Sequence, residues 1–205
     1  FNSIEGIKPE FYIWQNLSTN HEEIDEVILN SDNIKKYIRF KENGRSSGLL
    51  AMEYFSSLLN DEDYVMWTDG DLIIYPDSIV KQLSLFETIE NVGIVSQKVL
   101  AIGKSVSQRR NDKGYYYSGI IEKFDNCTRS VHNGFNCCIS KLTDWKTYIS
   151  HVINQDVKFK TMKPFNMQVF ETRPPIHIDS DTFRFFENVM KKKSLILKNM
   201  DCYEL

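Results

Sequence analysis

The chain has 205 residues and a mass of 24.1 kDa, with 41% hydrophobic and 26% charged residues; this is a globular composition, sufficient for one sizeable domain, and it excludes a disordered or collagen-like chain. The formal net charge is −3 and the pI about 5.9, so the basic surplus of a general nucleic-acid binder is missing. Mean hydropathy is −0.38 and no apolar run reaches bilayer length, which predicts a soluble domain with no transmembrane segment.

In chain order, Phe11-Tyr12-Ile13-Trp14 predicts a buried strand. Thr19-Asn20-His21-Glu22 has capping-box spacing, and Ile24, Val27 and Ile28 then recur at helical spacing. Tyr37-Ile38-Arg39-Phe40 predicts a second strand and Asn43-Gly44 a turn. From Ser46 to Leu59, Leu50, Met52, Phe55, Leu58 and Leu59 suit a helix lying on a sheet. Tyr64-Val65-Met66-Trp67 predicts a third strand. Asp77 or Ser78 can cap the next helix, whose inner face is expected at Val80, Leu83 and Phe86. Val92-Gly93-Ile94-Val95 predicts a fourth strand. This alternation of strands and helices argues for an α/β fold with a mostly parallel sheet flanked by helices.

The pattern changes after Lys98. Ser105 to Lys113 is polar and reads as a loop, while Tyr115-Tyr116-Tyr117, Phe135 to Ile139 and Met167 to Phe170 read as strands of a less regular α+β half. Thr182 to Met200 is expected to be a C-terminal helix. On it, Lys191-Lys192-Lys193 reads as a solvated face, three lysines being too few to argue for a membrane surface. With no repeat and no clear linker, residues 1–205 are expected to form a single domain. The four cysteines, Cys127, Cys137, Cys138 and Cys202, contain no C-x-x-C pair and read as buried free thiols of a reducing compartment. The two N-x-S/T sequons, at Asn16 and Asn126, carry little weight for secretion.

The chemistry concentrates in Asp63-Tyr64-Val65-Met66-Trp67-Thr68-Asp69-Gly70-Asp71. A buried strand runs straight into Asp-Gly-Asp, and open α/β sheets bind ligands at the carboxyl ends of their strands. In extended chain, residues i and i+2 project to one side, so Asp69 and Asp71 can face one divalent ion. Carboxylates are hard oxygen ligands suited to Mg2+ or Mn2+, which complete their shells with phosphate oxygens and water. Gly70 leaves room for a ligand beside the backbone. The plainer alternative is a solvated turn with two incidental acids.

On these residues the chain resembles the donor-binding half of GT-A-fold glycosyltransferases, which transfer a sugar from a nucleotide diphosphate. Asn43-Gly44-Arg45-Ser46-Ser47-Gly48-Leu49-Leu50-Ala51 is similar to that family's turn into a helix below the donor. Tyr64 to Asp71 is similar to its strand and D-x-D motif, and Pro76 with the following helix, then Val92 to Lys98, to its continuation. The wording around Trp67-Thr68-Asp69-Gly70-Asp71 also resembles family-2-like, fungal Golgi mannosyltransferase and plant-type xylosyl- and galactosyltransferase domains.

The resemblance implies a GT-A fold with a nucleotide-sugar half over 1–98 and an acceptor and metal-completing half over 99–205. It implies a metal-dependent transferase, in all a hexosyltransferase, using Mn2+ or Mg2+. The partners implied are a UDP- or GDP-sugar donor and a carbohydrate or glycoprotein acceptor, with no nucleic acid. It places Asn16, Arg45, Asp69, Asp71 and Gly134 at the donor. Gln15 stands where the family commonly has a base-contacting Asp, so Asn16 is the remaining nucleoside contact, or else a strand-end residue bonding its own turn. Arg45 either meets phosphates at a helix start or is a surface charge. Gly134, in Asn133-Gly134-Phe135, corresponds to a small residue beside the transferred sugar, or to an ordinary Asn-Gly turn. Asp156, in Gln155-Asp156-Val157, falls where inverting members carry the base that deprotonates the acceptor. In a retaining enzyme it would only hold the acceptor, and a surface acid is the third option. His177 follows Pro174-Pro175 and resembles a late metal-ligating His, with Asp179 and Asp181 as substitutes.

Closure of the Ser105 to Lys113 loop would exclude water from the donor. Two rivals remain: a nucleotidyltransferase using the same Asp pair, and a non-catalytic sugar-nucleotide or glycan-binding module. The resemblance also implies that the family's first βα unit, roughly twenty residues, is missing before Phe11, as in a piece of a longer multidomain protein. A cytoplasmic location, or the cytosolic face of a membrane, is the expected setting.

Overall fold

The computed structural model describes residues 7, 9–15, 21–40, 47–70, 72–101, 120–130, 137–154 and 178–204. The chain divides into two compact units, Phe1–Leu59 with Ile149–Ile176, and Asn60–Tyr148 with His177–Leu205.

The first unit contains β1 (Phe11–Gln15), α1 (His21–Leu29), β2 (Ile34–Arg39) and α2 (Ser47–Ser56). β1 and β2 pair in parallel, with Tyr12 opposite Lys36 and Gln15 opposite Arg39, as a strand-helix-strand crossover requires. Ala51, Met52 and Phe55 of α2 are buried, and the Phe55 ring lies 5.6 Å from that of Tyr12. Glu22 and Glu23 in the first turn of α1 complement the positive end of its dipole.

The second unit contains β3 (Tyr64–Trp67), β4 (Leu72–Ile73), α3 (Pro76–Thr88), β5 (Val92–Ala101), β6 (Ile120–Lys123), β7 (Cys127–Ser130), β8 (Cys138–Lys141), α4 (Leu142–Asn154), α5 (Ile178–Asn188) and β9 (Lys193–Glu204); α4 continues past the boundary at Tyr148. Its seven-stranded sheet has the order β3-β8-β5-β9-β7-β6, with β4 on β9.

The expected mostly parallel sheet is corrected here. β5·β9 is the parallel pair, and β3·β8, β5·β8, β7·β9, β6·β7 and β4·β9 are antiparallel. β3 and β5 do run the same way, as a strand-helix-strand order dictates. The later strand β8 inserts between them in the opposite direction, so alternation along the chain set direction without setting adjacency. The less regular second half supplies the strands that make the sheet mixed.

The expected helix over Thr182 to Met200 is also corrected. α5 ends at Asn188, Lys191 adopts a left-handed φ of 58°, and β9 begins at Lys193. β9 is central and covered on both faces. Leu195 and Leu197 cluster with Leu85 of α3 and with Val92 and Val95, while the alternate residue Ser194 bonds the Phe183 carbonyl of α5. A strand buried on both faces is a continuous apolar run, and periodicity cannot separate it from a buried helix. The three lysines therefore share no helical face. Lys191 forms the turn, the Lys192 ammonium sits 2.6 Å from Asp144, and Lys193 lies over the Phe124 ring.

Gly93 permits the close approach of α5 to β5, since a Cβ there would lie 2.4 Å from the Phe186 ring. Arg129 of β7 binds the nearly fully buried Glu187 carboxylate through Nε at 3.0 and 3.1 Å and a terminal nitrogen at 2.6 Å. The same carboxylate accepts the Ser194 N–H at 2.7 Å. Cys127, Cys137 and Cys138 are buried thiols. Among the described residues no helix is long and apolar enough to cross a membrane.

Candidate functional site

β3 delivers Thr68-Asp69-Gly70 at its carboxyl end. Trp67 is held opposite Cys138 of β8, and the chain re-enters the sheet at Leu72, opposite Glu204 of β9. β5 occupies one edge of β9 over the same stretch, so β4 lies on the other edge, four strand spacings from β3 in the sheet order. β5 and β9 shift register between Ser96 and Lys98. Leu72, where the chain re-enters the sheet, packs with Cys137, the residue that Thr68 touches, and Gly70 between them lies in a turn.

Asp69 and Gly70 are exposed. A Cβ on Gly70 would meet nothing within 4 Å among the described residues, so the glycine leaves open space beside the backbone. The Thr68 hydroxyl donates to the Asp69 carbonyl at 3.1 Å and lies 3.8 Å from Cys137 Sγ. Its one proton is used on the carbonyl, which leaves the thiol as donor in the second contact. Asp71, Asn16, Arg45, Gly134, Asp156 and His177 lie outside the described residues, as do Asp179 and Asp181 as side chains and the Ser105 to Lys113 segment. Of the candidate residues, Asp69 is placed and exposed. Among the described residues no three His, Cys, Asp or Glu side chains gather as a metal group.

Two arrangements were missed from the sequence. The first joins α3 and β5 to Cys137, just before β8. Gln82 of α3 donates through Nε2 to the Val95 carbonyl at 3.0 Å and the Cys137 carbonyl at 2.7 Å. Its Oε1 accepts from Gln97 Nε2 at 2.7 Å, and the same nitrogen donates to Ser78 Oγ at 2.7 Å. Ser78 passes its proton to the Tyr75 carbonyl at 2.6 Å. Ser78, Gln82 and Gln97 are fully buried. Because carbonyls only accept, both amides are fixed in orientation, and Gln97 Oε1 is buried without a partner among the described residues.

This arrangement corrects two expectations for α3. The N-cap is Tyr75, with no side-chain cap bond, and Pro76 opens the helix. The buried face is Ser78, Ile79, Gln82 and Leu85, with Phe86 packed against the Leu85 cluster as expected, while Val80 is exposed. The signal available in the sequence was the 78, 82, 85 spacing, two of whose members are polar.

The second arrangement lies in the first unit, at the carboxyl ends of β1 and β2. Arg39 Nε donates to Gln15 Oε1 at 3.2 Å, and its terminal nitrogen binds both Asp25 oxygens. The Tyr37 hydroxyl bonds Gln15 Oε1 and, at 3.0 Å, Asp25. The Arg39 hydrogen bond holds the Asp25 carboxyl below the usual carboxylate range. In return, the Asp25 bond raises the guanidinium pKa. Gln15 is therefore committed through its oxygen to its own strand neighbours.

No family model matches the chain, and no curated protein matches it. Among solved structures it is similar to GalNAc-T7, a GT-A-fold glycosyltransferase whose crystal structure holds UDP, GalNAc and Mn2+. The TM-score is 0.56 at 8% identity, over 95% of this chain and 37% of GalNAc-T7. The architecture is GT-A-like. At that identity the likeness extends to the fold alone, and this chain spans just over a third of the GalNAc-T7 chain.

Proposed function

We propose that the chain is a metal-dependent glycosyltransferase that moves a hexosyl group from a nucleotide-diphosphate sugar to a hydroxyl of a glycan or glycoprotein. The observation that carries this reading is the exposed Asp69-Gly70 at the carboxyl end of β3, in a fold shared with a glycosyltransferase seen with UDP, GalNAc and Mn2+. Carboxylates suit such a metal, and Asp69 is exposed with open space beside Gly70. Asp69 and Asp71 would hold it, with His177 completing the protein ligands. Bound there, Mn2+ or Mg2+ would supply neutralisation of the charge that builds on a departing nucleoside diphosphate.

The remaining assignments belong to the same proposal. Arg45 binds donor phosphate and Asn16 the nucleoside, Gly134 leaves room for the sugar, and Asp156 takes the acceptor proton if configuration inverts. The single-domain organisation over 1–205 is part of it too.

The test is incubation with Mn2+ and a panel of UDP- and GDP-sugars, reading thermal shift and release of nucleoside diphosphate. A matching donor at a hundred times its Kd adds about 2.7 kcal/mol, a rise of roughly 5–10 °C for a chain of this size. Asp71→Ala is expected to abolish both the shift and the release. Equal behaviour of wild type and Asp71→Ala removes the metal assignment, and binding without release across varied acceptors favours a binding module.

A further inference from the structure

The mixed sheet leaves a polar rod through an otherwise apolar layer. It starts at the Tyr75 carbonyl, runs through Ser78, Gln97 and Gln82, and ends on the carbonyls of Val95 and Cys137. One end lies at Tyr75, which follows β4 and is the N-cap of α3. The other lies against the chain that leads into Asp69. Cys137 touches Thr68, the residue before Asp69.

Cys137 adopts a left-handed φ of 54°, a conformation disfavoured for any residue with a Cβ. Strained backbone persists where its surroundings over-determine it. Here the Gln82 amide bonds the Cys137 carbonyl from one side, and β8 and Thr68 hold the residue from the other. Apolar side chains of the same volume would fill the layer but would hold neither carbonyl. A buried network of fixed amide orientation defines one geometry where an apolar contact permits several.

We propose that Gln82, with Gln97 as its support, is a positioning residue for the Asp69 site. It ties the Cys137 turn to α3 and β5, and through Thr68 holds Asp69 ready for a metal–diphosphate ligand. The inference rests on the transferase reading of the same site.

The experiment compares the full chain with Gln82→Met and Gln97→Met, which keep side-chain length and remove the bonds. Leu85→Ala, one turn further along α3 in the apolar cluster, is the control that destabilises without touching the rod. The probes are MnCl2 with UDP and MnCl2 with GDP, titrated by water-proton relaxation of bound Mn2+. Amide exchange of Thr68, Asp69 and Gly70 is followed by NMR without ligand. Gln82→Met is expected to weaken Mn2+–nucleotide binding at least tenfold and to speed exchange at those amides at least tenfold. Leu85→Ala is expected to stay within twofold of wild type in binding. Wild-type affinity and exchange in Gln82→Met overturn the positioning role, as does an equal loss of affinity in Leu85→Ala, and both results leave the transferase reading standing. Wild-type protein that binds neither Mn2+–UDP nor Mn2+–GDP overturns that reading and the positioning role with it.

Discussion

Substituting Gly93 by alanine tests how closely the C-terminal helix is pressed onto the sheet. The added carbon would lie 2.4 Å from Phe186 Cδ1, 2.7 Å from Lys192 Cβ and 3.1 Å from Phe186 Cε1. Neither neighbour is a free end. The Phe186 ring is fully buried, edge-on to Trp145 at 6.1 Å and to Phe185 at 6.2 Å. Lys192 Cβ is the base of a side chain whose ammonium binds Asp144 at 2.6 and 2.8 Å. Relief therefore requires α5 and the turn after it to move off β5. Overpacking a core usually costs about 1–3 kcal/mol, and a clash with two anchored groups belongs at the upper end, about 3 kcal/mol. For a chain of this length that lowers Tm by roughly 6–12 °C. Circular dichroism melts and urea titrations measure it. Adding Phe186→Leu to Gly93→Ala opens the contact, so the pair should cost less than the sum of the singles by about 1 kcal/mol or more. A Gly93→Ala protein within about 0.5 kcal/mol of wild type, or strict additivity in the pair, would show that α5 is not seated on β5 at this point.

Burial pushes the Cys127 thiol from 9.0 up to about 11. Iodoacetamide at pH 8 should leave it unmodified in native protein and alkylate it in concentrated urea, as read by peptide mass mapping. The folded state holds the thiol proton more tightly than the unfolded chain does. Its contribution to stability is thus full below pH 9 and lost as pH rises from 9 to 11; native alkylation at pH 8 would contradict the placement of β7. Arg129→Met should cost about 3 kcal/mol in urea unfolding, because it strands the buried Glu187 carboxylate. Glu187→Gln retains an oxygen for the Ser194 N–H and should cost less. The reverse ranking would mean that the Arg129 pair is incidental.

The parts of the fold legible from sequence are those in which one local rule acts alone. β1, α1 and β2 follow from an apolar run, a helical period and a second apolar run, and their parallel pairing follows from the crossover between them. β3 and the start of β5 were legible for the same reason. The order of strands in the second unit was not, because β8 reaches its place between β3 and β5 from more than forty positions downstream of β5's start. No local pattern reports that insertion. β9 was lost for a different reason. Ser194-Leu195-Ile196-Leu197 is buried on both faces, so the alternation that marks a half-exposed strand is absent.

The candidate site divides the same way. The placement of Asp69 just past the end of β3 was legible because the apolar run Tyr64–Trp67 stops at Thr68. Gln82 and Gln97 were not, since a glutamine inside an apolar stripe reads as an interruption of the stripe. Their meaning depends on two carbonyls, Val95 and Cys137, the second on a residue in a left-handed turn. That turn, in turn, lies where the chain must meet Thr68. Leucine or methionine at both positions would fill the same layer, but would lose the donor that meets the Val95 and Cys137 carbonyls. On the positioning role proposed for Gln82, the polar rod and the exposed end of β3 work as one device.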